Sequence, residues 1–443
     1  MMDFPARRAR LVAQLPPGAV AVLPTAPEAV RNGDAEYPYR HDSYFYYLTG
    51  FTEPESMLVL VAAQGDTPAR AILFCREKHP EREIWDGYRH GPEAARAALK
   101  LDEAYPIGEL DARMPDLLAN APALFYATAA NAVLDAQVAA WTRAVRAKSR
   151  SGVTAPAAFR DLLPLLDEMR LIKDADEQAL MQRAGSISGQ AHARAMRAAR
   201  PGMFEYELEA ELLYEFRRNG AQFPAYTSIV ASGANACVLH YNANDRRMQD
   251  GDLVLIDAGC ELDGYASDIT RTFPVNGRFS EAQRALYELV LAAQDAAFAA
   301  IAPGRPYSAF HEAAVRVLTQ GMLDLGLIER AKYGSVEDAI ADKAHGPFYM
   351  HGTGHWLGMD VHDVGAYRDL ARADKPSRGL TSGMVLTVEP GIYVRPDPNV
   401  PERFWHIGIR IEDDVVVTDD GYRILTGAAP KSVAEIEALV GKA

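Results

Sequence analysis

Cysteine is scarce in this sequence of 443 residues, which contains only Cys75, Cys237 and Cys260. An odd number of scattered cysteines offers no disulfide framework and no CxxC metal site. Such usage is typical of proteins that keep their thiols reduced. We therefore expect three buried thiols and a cytoplasmic protein.

Long apolar runs and an excess of positive charge are also missing. No apolar stretch reaches the length of a membrane-spanning helix, and the run at residues 19–23 is too short for a secretory signal. The net charge of −14 argues against a surface for nucleic acid or anionic membrane. With 49% hydrophobic and 24% charged residues, the composition predicts an ordinary soluble globular protein.

The length of the chain predicts two domains, which we place at residues 1–168 and 169–443. Short strands and helices alternate in the first part, which is typical of a small α/β domain. Predicted strands there lie at residues 19–23, 57–62 and 71–75, and predicted helices at 92–99, 113–119 and 134–147. The second part has longer predicted helices at residues 175–199, 205–219, 280–301 and 308–324.

One stretch, residues 251–274, has the pattern of a strand hairpin that carries two acids. A β-type run leads into Asp257, and a second strand begins around Asp268, so both side chains can lie on one face. Two carboxylates about 4 Å apart repel by roughly 4 kcal/mol at an effective dielectric constant near 20. A divalent cation between them would remove this repulsion. The alternative is one exposed aspartate and one turn aspartate.

A weak internal repeat relates residues 251–259 to residues 383–391. Each copy is a buried-type strand that ends in an acid, Asp257 or Glu389, followed by a glycine. A duplicated half-domain with strands inside and helices outside would bring the two acids together at its centre. Chance similarity of two apolar strands is the alternative.

Two further stretches contain several polar side chains that can bind metal ions or transfer protons. Three of the eleven histidines, His351, His355 and His362, fall within twelve residues. Residues 405–414 alternate like a strand, which would place Arg410 and Glu412 on one face. The alternatives are a hydrogen-bonded loop for the histidines and an exposed strand face for Arg410 and Glu412. The hairpin, its repeat and these two stretches are nevertheless predicted to converge at one place.

These stretches, with residues 228–241 and 37–56, resemble the pita-bread metallopeptidases, and among them the bacterial type of the aminopeptidase P family. The resemblance covers most of the chain and is most specific in residues 228–412. It implies a ribonuclease-H-like N-terminal α/β domain followed by a pita-bread domain with pseudo-twofold symmetry. It also implies an Xaa-Pro aminopeptidase, which removes the N-terminal residue from peptides that have proline in second position.

The family metal ligands fall, position by position, on Asp257, Asp268, His355, Glu389 and Glu412, and none is substituted. By resemblance, Asp268 and Glu412 would bridge two divalent metal ions. An oxygen-rich set with one imidazole favours Mn²⁺, Co²⁺ or Fe²⁺ over metals that prefer thiolate. We expect Mn²⁺, with Co²⁺ or Zn²⁺ as alternatives.

The remaining roles also follow from the resemblance. Glu389 would carry a proton as well as bind metal, and His362 would contact the substrate carbonyl. His240 and His351 would shape the proline side of the pocket, which Tyr393 would also line, and Arg410 would orient the metal-bound acids. Trp85 and Arg89 match the segment that reaches a neighbouring subunit's active site in this family. We therefore expect a homotetramer or homodimer. Residues 368–379 depart from the family as a long polar loop, expected at the pocket rim and away from the ligands.

Other functions are weighed against this one. The nearest alternative is prolidase, which has the same fold and cuts only Xaa-Pro dipeptides. A methionine aminopeptidase is disfavoured because roughly 165 residues precede the catalytic half here. Metal-free peptide- or histone-binding relatives and creatine-hydrolysing relatives lack the metal-binding acids, all of which are present in this sequence.

Overall fold

The computed structural model describes residues 2–442. The chain divides into two compact units between Arg170 and Leu171, two residues after the boundary expected from the sequence. Within residues 2–442, no helix is both long enough and apolar enough to cross a membrane.

The first unit alternates helices and strands as predicted. Its elements are α1 (Phe4–Val12), β1 (Val20–Pro24), β2 (Val30–Asn32), β3 (Ala35–Glu36), α2 (Ser43–Thr49), β4 (Met57–Val61), β5 (Arg70–Cys75), α3 (Pro80–Asp86), α4 (Gly91–Leu99), β6 (Glu103–Pro106), α5 (Leu110–Leu117), β7 (Ala123–Tyr126), α6 (Ala132–Ala147), β8 (Ala158–Asp161) and α7 (Leu163–Leu171).

Six of these strands form one mixed sheet in the order β6-β5-β4-β1-β7-β8. Strand β4 runs antiparallel to both β1 and β5, and the remaining pairs are parallel. Met114 of α5 and Trp141 of α6 lie in one apolar core with sheet residues such as Val22 and Ile72. This arrangement confirms the predicted small α/β domain.

Residues 83–86 are helical, although the polar composition of the segment 83–89 is typical of a loop, and residues 87–89 have no regular secondary structure. Trp85 lies in helix α3, which begins with Pro80 and ends before Gly87 at a positive φ of 86°. The His79 ring accepts a hydrogen bond from the Arg82 amide at 3.3 Å and caps the helix. Because proline suits the first helical turn, the sequence did contain a helix signal here.

The second unit contains the longer helices and the remaining strands. Its elements are α8 (Ala175–Ala198), α9 (Glu205–Arg218), β9 (Phe223–Pro224), β10 (Ile229–Ser232), β11 (Leu253–Asp257), β12 (Cys260–Leu262), β13 (Tyr265–Ala266), β14 (Thr270–Pro274), α10 (Glu281–Ala299), α11 (Ser308–Leu325), α12 (Val336–Ala341), β15 (Val385–Val388), β16 (Gly391–Val394), β17 (Ile407–Arg410), β18 (Asp413–Val417), β19 (Tyr422–Ile424) and α13 (Val433–Leu439).

The predicted repeat corresponds to two antiparallel strand pairs, β11 with β14 and β15 with β18. The first strand of one pair ends in Asp257, and Glu389 directly follows the first strand of the other. The Glu412 amide donates to the Thr270 carbonyl at 3.0 Å and connects the two pairs. Helices α8 to α11 contribute to the same apolar core as these strands, which gives the pita-bread arrangement of inner strands and outer helices.

The hairpin at residues 251–274 is less regular than predicted. Thr270, not Asp268, is the cross-strand partner of Asp257, and Asp268 precedes β14. Between the two acids, the chain forms the short strands β12 and β13, which belong to a separate sheet with β9. The chain crosses itself closely here, since a Cβ on Gly259 would lie 1.7 Å from the Ser267 carbonyl oxygen.

Residues 405–414 are not one strand. The structure has two strands, β17 and β18, which belong to different sheets, with Glu412 between them. Pro390 makes the corresponding break between β15 and β16, and its carbonyl accepts from the Ile411 amide at 3.3 Å. Proline has no N–H to offer a ladder, so the interruption follows from the sequence.

Candidate active site

The ends of the central strands in the second unit open into a cavity of about 630 Å³. The lining includes the predicted residues Asp257, Asp268, His355, Glu389, Glu412, His240, His351, His362 and Arg410. The structure therefore brings together all the predicted site residues of this unit except Tyr393, which lies directly behind the wall.

Three of the predicted ligands form a compact group. Ligand atoms of Asp268, His355 and Glu412 all lie within 4.8 Å of one another. His355 Nε2 is 3.5 Å from Asp268 Oδ2 and 3.7 Å from Glu389 Oε1. His355 Nδ1 lies 2.9 Å from the Trp356 carbonyl, so it donates there and leaves Nε2 free to bind a metal ion.

The loop that carries His355 is fixed against strand β15. The Thr387 amide donates to the His355 carbonyl at 3.0 Å, and the Glu389 amide donates to the Thr353 carbonyl at 2.8 Å. A Cβ on Gly354 would lie 2.0 Å from the Thr387 carbonyl oxygen, so this close approach requires glycine. The strand and the loop together place an imidazole beside the Glu389 carboxylate.

Tyr226 connects the two aspartates and was not predicted. Its hydroxyl lies 2.6 Å from Asp257 Oδ1 and 2.5 Å from Asp268 Oδ1. Burial, reinforced by both carboxylates, raises the pKa of Tyr226 well above its ordinary value. The hydroxyl therefore stays protonated and can donate to either acid.

Arg410 is held between acid and hydroxyl groups. It donates to Asp257 Oδ2 at 2.5 Å, to the Tyr393 hydroxyl at 2.9 Å and to Thr270 Oγ1 at 3.1 Å. The Tyr393 hydroxyl is also 2.8 Å from His351 Nε2. Arg410 and Tyr393 thus link the strand pair β11 and β14 to the loop that carries His351.

The carboxylates lie close together and are largely buried, and both conditions shift their pKa values. Burial, followed by the charges of neighbouring acids, raises the pKa of Glu412 well above its ordinary value. Burial raises the pKa of Glu389 to about 7 and also raises the pKa of Asp257. Burial would raise the pKa of Asp268 too, but its hydrogen bond with His355 lowers it.

This donor set fits divalent cations. Four carboxylates, of which Asp268 and Glu412 are buried and Asp257 and Glu389 half-buried, and one imidazole are the ligands that hard and borderline metals prefer. Burial is the main cause of the raised pKa values of Asp257, Glu389 and Glu412, and a bound cation would favour the charged form of each acid. Two divalent cations would balance four carboxylates.

The other predicted positions lie elsewhere. Trp85 and Arg89 belong to the first unit, where Trp85 is 84% exposed and Arg89 pairs with Asp86 at 3.1 Å. Their substrate role stays a prediction. No residue of the loop 368–379 is among those that line the cavity, and the loop contacts the start of α11 through the Arg378 carbonyl and the Tyr307 amide.

Comparison with known proteins identifies the family. The model of metallopeptidase family M24 matches residues 179–419, and that of the aminopeptidase P N-terminal domain matches residues 4–126. The chain belongs to the aminopeptidase P branch of family M24. It is 47% identical over 438 residues to Xaa-Pro aminopeptidase of Escherichia coli K12, which covers 99% of this chain and 97% of the relative.

Solved structures of this family share the whole fold. Aminopeptidase PepP of Pseudomonas aeruginosa superposes with a TM-score of 0.94 at 52% identity, covering 98% of this chain and 97% of that one. Zinc-substituted E. coli aminopeptidase P in complex with product gives the same TM-score of 0.94 at 47% identity, with 98% and 97% of the two chains covered.

Proposed function

We propose that this chain is an Xaa-Pro aminopeptidase, which hydrolyses the bond before proline and releases the N-terminal residue of a peptide. One observation carries the proposal. The acids and the imidazole of the family pattern converge on one buried cavity, in a chain 47% identical along its length to an Xaa-Pro aminopeptidase. This activity needs a metal ion, a proton carrier, a group for the carbonyl oxygen and a proline pocket.

Two divalent cations would be held by Asp257, Asp268, His355, Glu389 and Glu412. The donor chemistry favours Mn²⁺, with Co²⁺ or Zn²⁺ as alternatives, and a zinc-substituted relative supports tolerance of more than one metal. When bound, a pair of divalent cations lowers the pKa of water and polarises the scissile carbonyl.

Glu389 is the proton carrier in this proposal. Its pKa of about 7 in the buried site suits a group that must both accept and release a proton near neutral pH. It would take a proton from the attacking water and deliver it to the leaving proline nitrogen. Thr387 Oγ1, 3.4 Å from Glu389 Oε1, helps to fix the orientation of the carboxylate.

His362 is placed to stabilise the carbonyl oxygen. Its ring centroid lies 4.0 Å from that of His355, with the two rings tilted by 36°, at the cavity wall. Burial, followed by the charge of His355, lowers the pKa of His362, so the ring is neutral at physiological pH and still has one N–H to donate. That N–H would strengthen its hydrogen bond as negative charge develops on the oxygen.

The proline side of the pocket would be formed by His240 and His351. Burial lowers the pKa of His351 to about 4, and Tyr393 fixes its ring. Apolar side chains of Ile229 and Leu239 line the same cavity and suit a proline ring. His351 would then act as a neutral, oriented part of this wall.

The assembly and the compartment are further parts of the proposal. Trp85 is almost fully exposed on α3, which supports contact of this segment with the active site of a neighbouring subunit in a homotetramer or homodimer. The three cysteines are free and buried, as suits a cytoplasmic enzyme. Peptides with N-terminal Xaa-Pro would be the substrates.

A pair of substrates tests the proposal against prolidase. The chelated protein is restored with Mn²⁺, Co²⁺ or Zn²⁺ and assayed on a prolyl tripeptide and on the corresponding Xaa-Pro dipeptide. We expect the restored enzyme to cleave the tripeptide far faster than the dipeptide. Cleavage of the dipeptide alone, or activity indifferent to chelator, would contradict the proposal.

A further inference from the structure

The segment 232–246 forms one wall of the candidate active site. It leaves strand β10 at Ser232 and presents Leu239, His240 and Asn242 to the cavity. From Val238 to Ala243 it has no regular secondary structure. Something outside the segment must therefore hold this wall in place.

Glu205, in the first turn of α9, contacts the segment at several points. The residue is 0% exposed. Its Oε1 accepts from the Ser232 amide at 2.6 Å, the Ser232 hydroxyl at 2.7 Å and the Asn235 side chain at 3.3 Å. Its Oε2 accepts from the Tyr241 hydroxyl at 2.8 Å and the Arg246 amide at 2.9 Å. One carboxylate thus binds both ends and the middle of the wall.

The contact at Tyr241 matters most for the cavity. Tyr241 directly follows His240, and within the described chain it makes the only side-chain hydrogen bonds of residues 238–243, to Glu205 and to Asp245. The ends of the segment have other anchors. Asn244 donates to Glu209, one turn along α9, at 3.0 Å, and Arg246 pairs with Asp252 at 2.7 Å.

We propose that Glu205 is a positioning residue that fixes His240 at the pocket wall through the Tyr241 hydroxyl. The inference rests on the proposed role of His240 in substrate binding. Loss of the Tyr241 hydroxyl frees the tip of the segment, whereas the remaining four donors to Glu205 still compensate its buried charge. The histidine then samples more positions, and the entropy of ordering it is added to the cost of binding substrate.

The test compares Tyr241→Phe and Glu205→Gln with the control Tyr206→Phe. Tyr206 lies on the same helix and is 50% exposed. We expect Tyr241→Phe to lower kcat/KM for a prolyl tripeptide about tenfold, mainly through KM, because a hydrogen bond to a charged group is lost. Glu205→Gln should cost at least as much, Tyr206→Phe should cost nothing, and metal content should be unchanged in all three.

A double-mutant cycle separates positioning from general destabilisation. In a His240→Ala background, Tyr241→Phe should change kcat/KM by less than about twofold, because the group that it positions is gone. A full tenfold loss in that background would overturn the inference, as would a His240→Ala enzyme with normal kcat/KM.

Amide hydrogen exchange tests the positioning role without measuring activity, so its outcome does not depend on the proposed function. Amide hydrogen exchange of peptides covering residues 238–243 should be about tenfold faster in Tyr241→Phe than in wild type and in Tyr206→Phe. Unchanged exchange overturns the positioning role. Failure of the wild-type protein to cleave any prolyl tripeptide, with the exchange result as expected, would instead contradict the proposed function.

Discussion

The Tyr226 hydroxyl lies 2.6 Å from Asp257 and 2.5 Å from Asp268, and so joins two acids that come from different points of an irregular hairpin. The three groups line the candidate active site together. Because one hydroxyl has one proton, it donates to one acid, and it can accept from the other when that acid is protonated. The tyrosine therefore sets the spacing of two proposed metal ligands.

Replacement of Tyr226 tests this orienting role. Partners that orient metal ligands are typically worth about 10–100-fold in metal affinity. We expect Tyr226→Phe to weaken Mn²⁺ binding by that factor in calorimetric titration, with the fold retained. Tyr214→Phe, an exposed position on α9, serves as the control. Equal affinities of Tyr226→Phe and wild type would contradict the role.

Glu389 is expected to be indispensable. The change Glu389→Ala removes a proposed metal ligand and the proposed proton carrier, so turnover should fall by at least about 10²–10⁴-fold even at saturating Mn²⁺. The measurement is kcat on a prolyl tripeptide under defined metal. Substantial activity in this variant would rule the assignment out.

His362 should separate catalysis from metal binding. A donor to a developing oxyanion is worth about 10²–10³-fold in kcat, and His362 is not among the proposed ligands. We expect His362→Ala to lose that factor while elemental analysis finds the metal content of wild type. A parallel loss of metal and rate would assign His362 to the ligands instead.

A buried ion pair next to His362 is expected to contribute to stability. Lys173 Nζ lies 2.8 Å from Asp363 Oδ2, and both side chains are about 1% exposed. Removing one partner of such a pair costs about 3–5 kcal/mol, so Lys173→Met should lower the free energy of unfolding by that amount. Arg372→Ala breaks the exposed pair with Asp374, 62% exposed on both sides, and should cost about 0–1 kcal/mol. Denaturant titrations that give equal losses would contradict this account.

Stability should fall in mild acid because of His192. The residue is fully buried, and its Nε2 donates to the Ala258 carbonyl at 2.9 Å. Burial lowers its pKa from 6.5 to about 4, so the unfolded chain binds a proton more readily than the folded one. Its contribution is therefore present above pH 6.5 and is lost as the pH falls towards 4, by about 3 kcal/mol in total.

The variant His192→Gln tests that pH dependence. The free energy of unfolding should fall less steeply between pH 6.5 and pH 5 in this variant than in wild type, since the titrating ring is gone. If the two slopes coincide, His192 does not contribute to acid sensitivity.

The sequence predicted the acids at the strand ends because their signal is local. A run of four mostly apolar residues, followed by an acid and two residues later by a glycine, specifies a buried strand with a polar tip, both at Asp257 and at Glu389. The family pattern then supplied His355 and Glu412. All of these residues line the same cavity in the structure.

The parts that were missed depend on contacts between distant residues. Tyr226 lies more than 30 residues before Asp257 and more than 40 before Asp268, and no pattern in the hairpin refers to it. The displacement of Asp268 from the strand follows from the close crossing of Gly259 and Ser267, which periodicity does not describe. Helix α3 was missed for another reason, because polar composition outweighed the cap and Pro80.

Anomalous X-ray diffraction from crystals of the wild-type protein loaded with Mn²⁺ tests the central claim most directly. The account predicts two manganese peaks, about 3.5–4 Å apart, surrounded by Asp257, Asp268, His355, Glu389 and Glu412. Peaks elsewhere, or no peak at these five side chains under conditions that support activity, would contradict it.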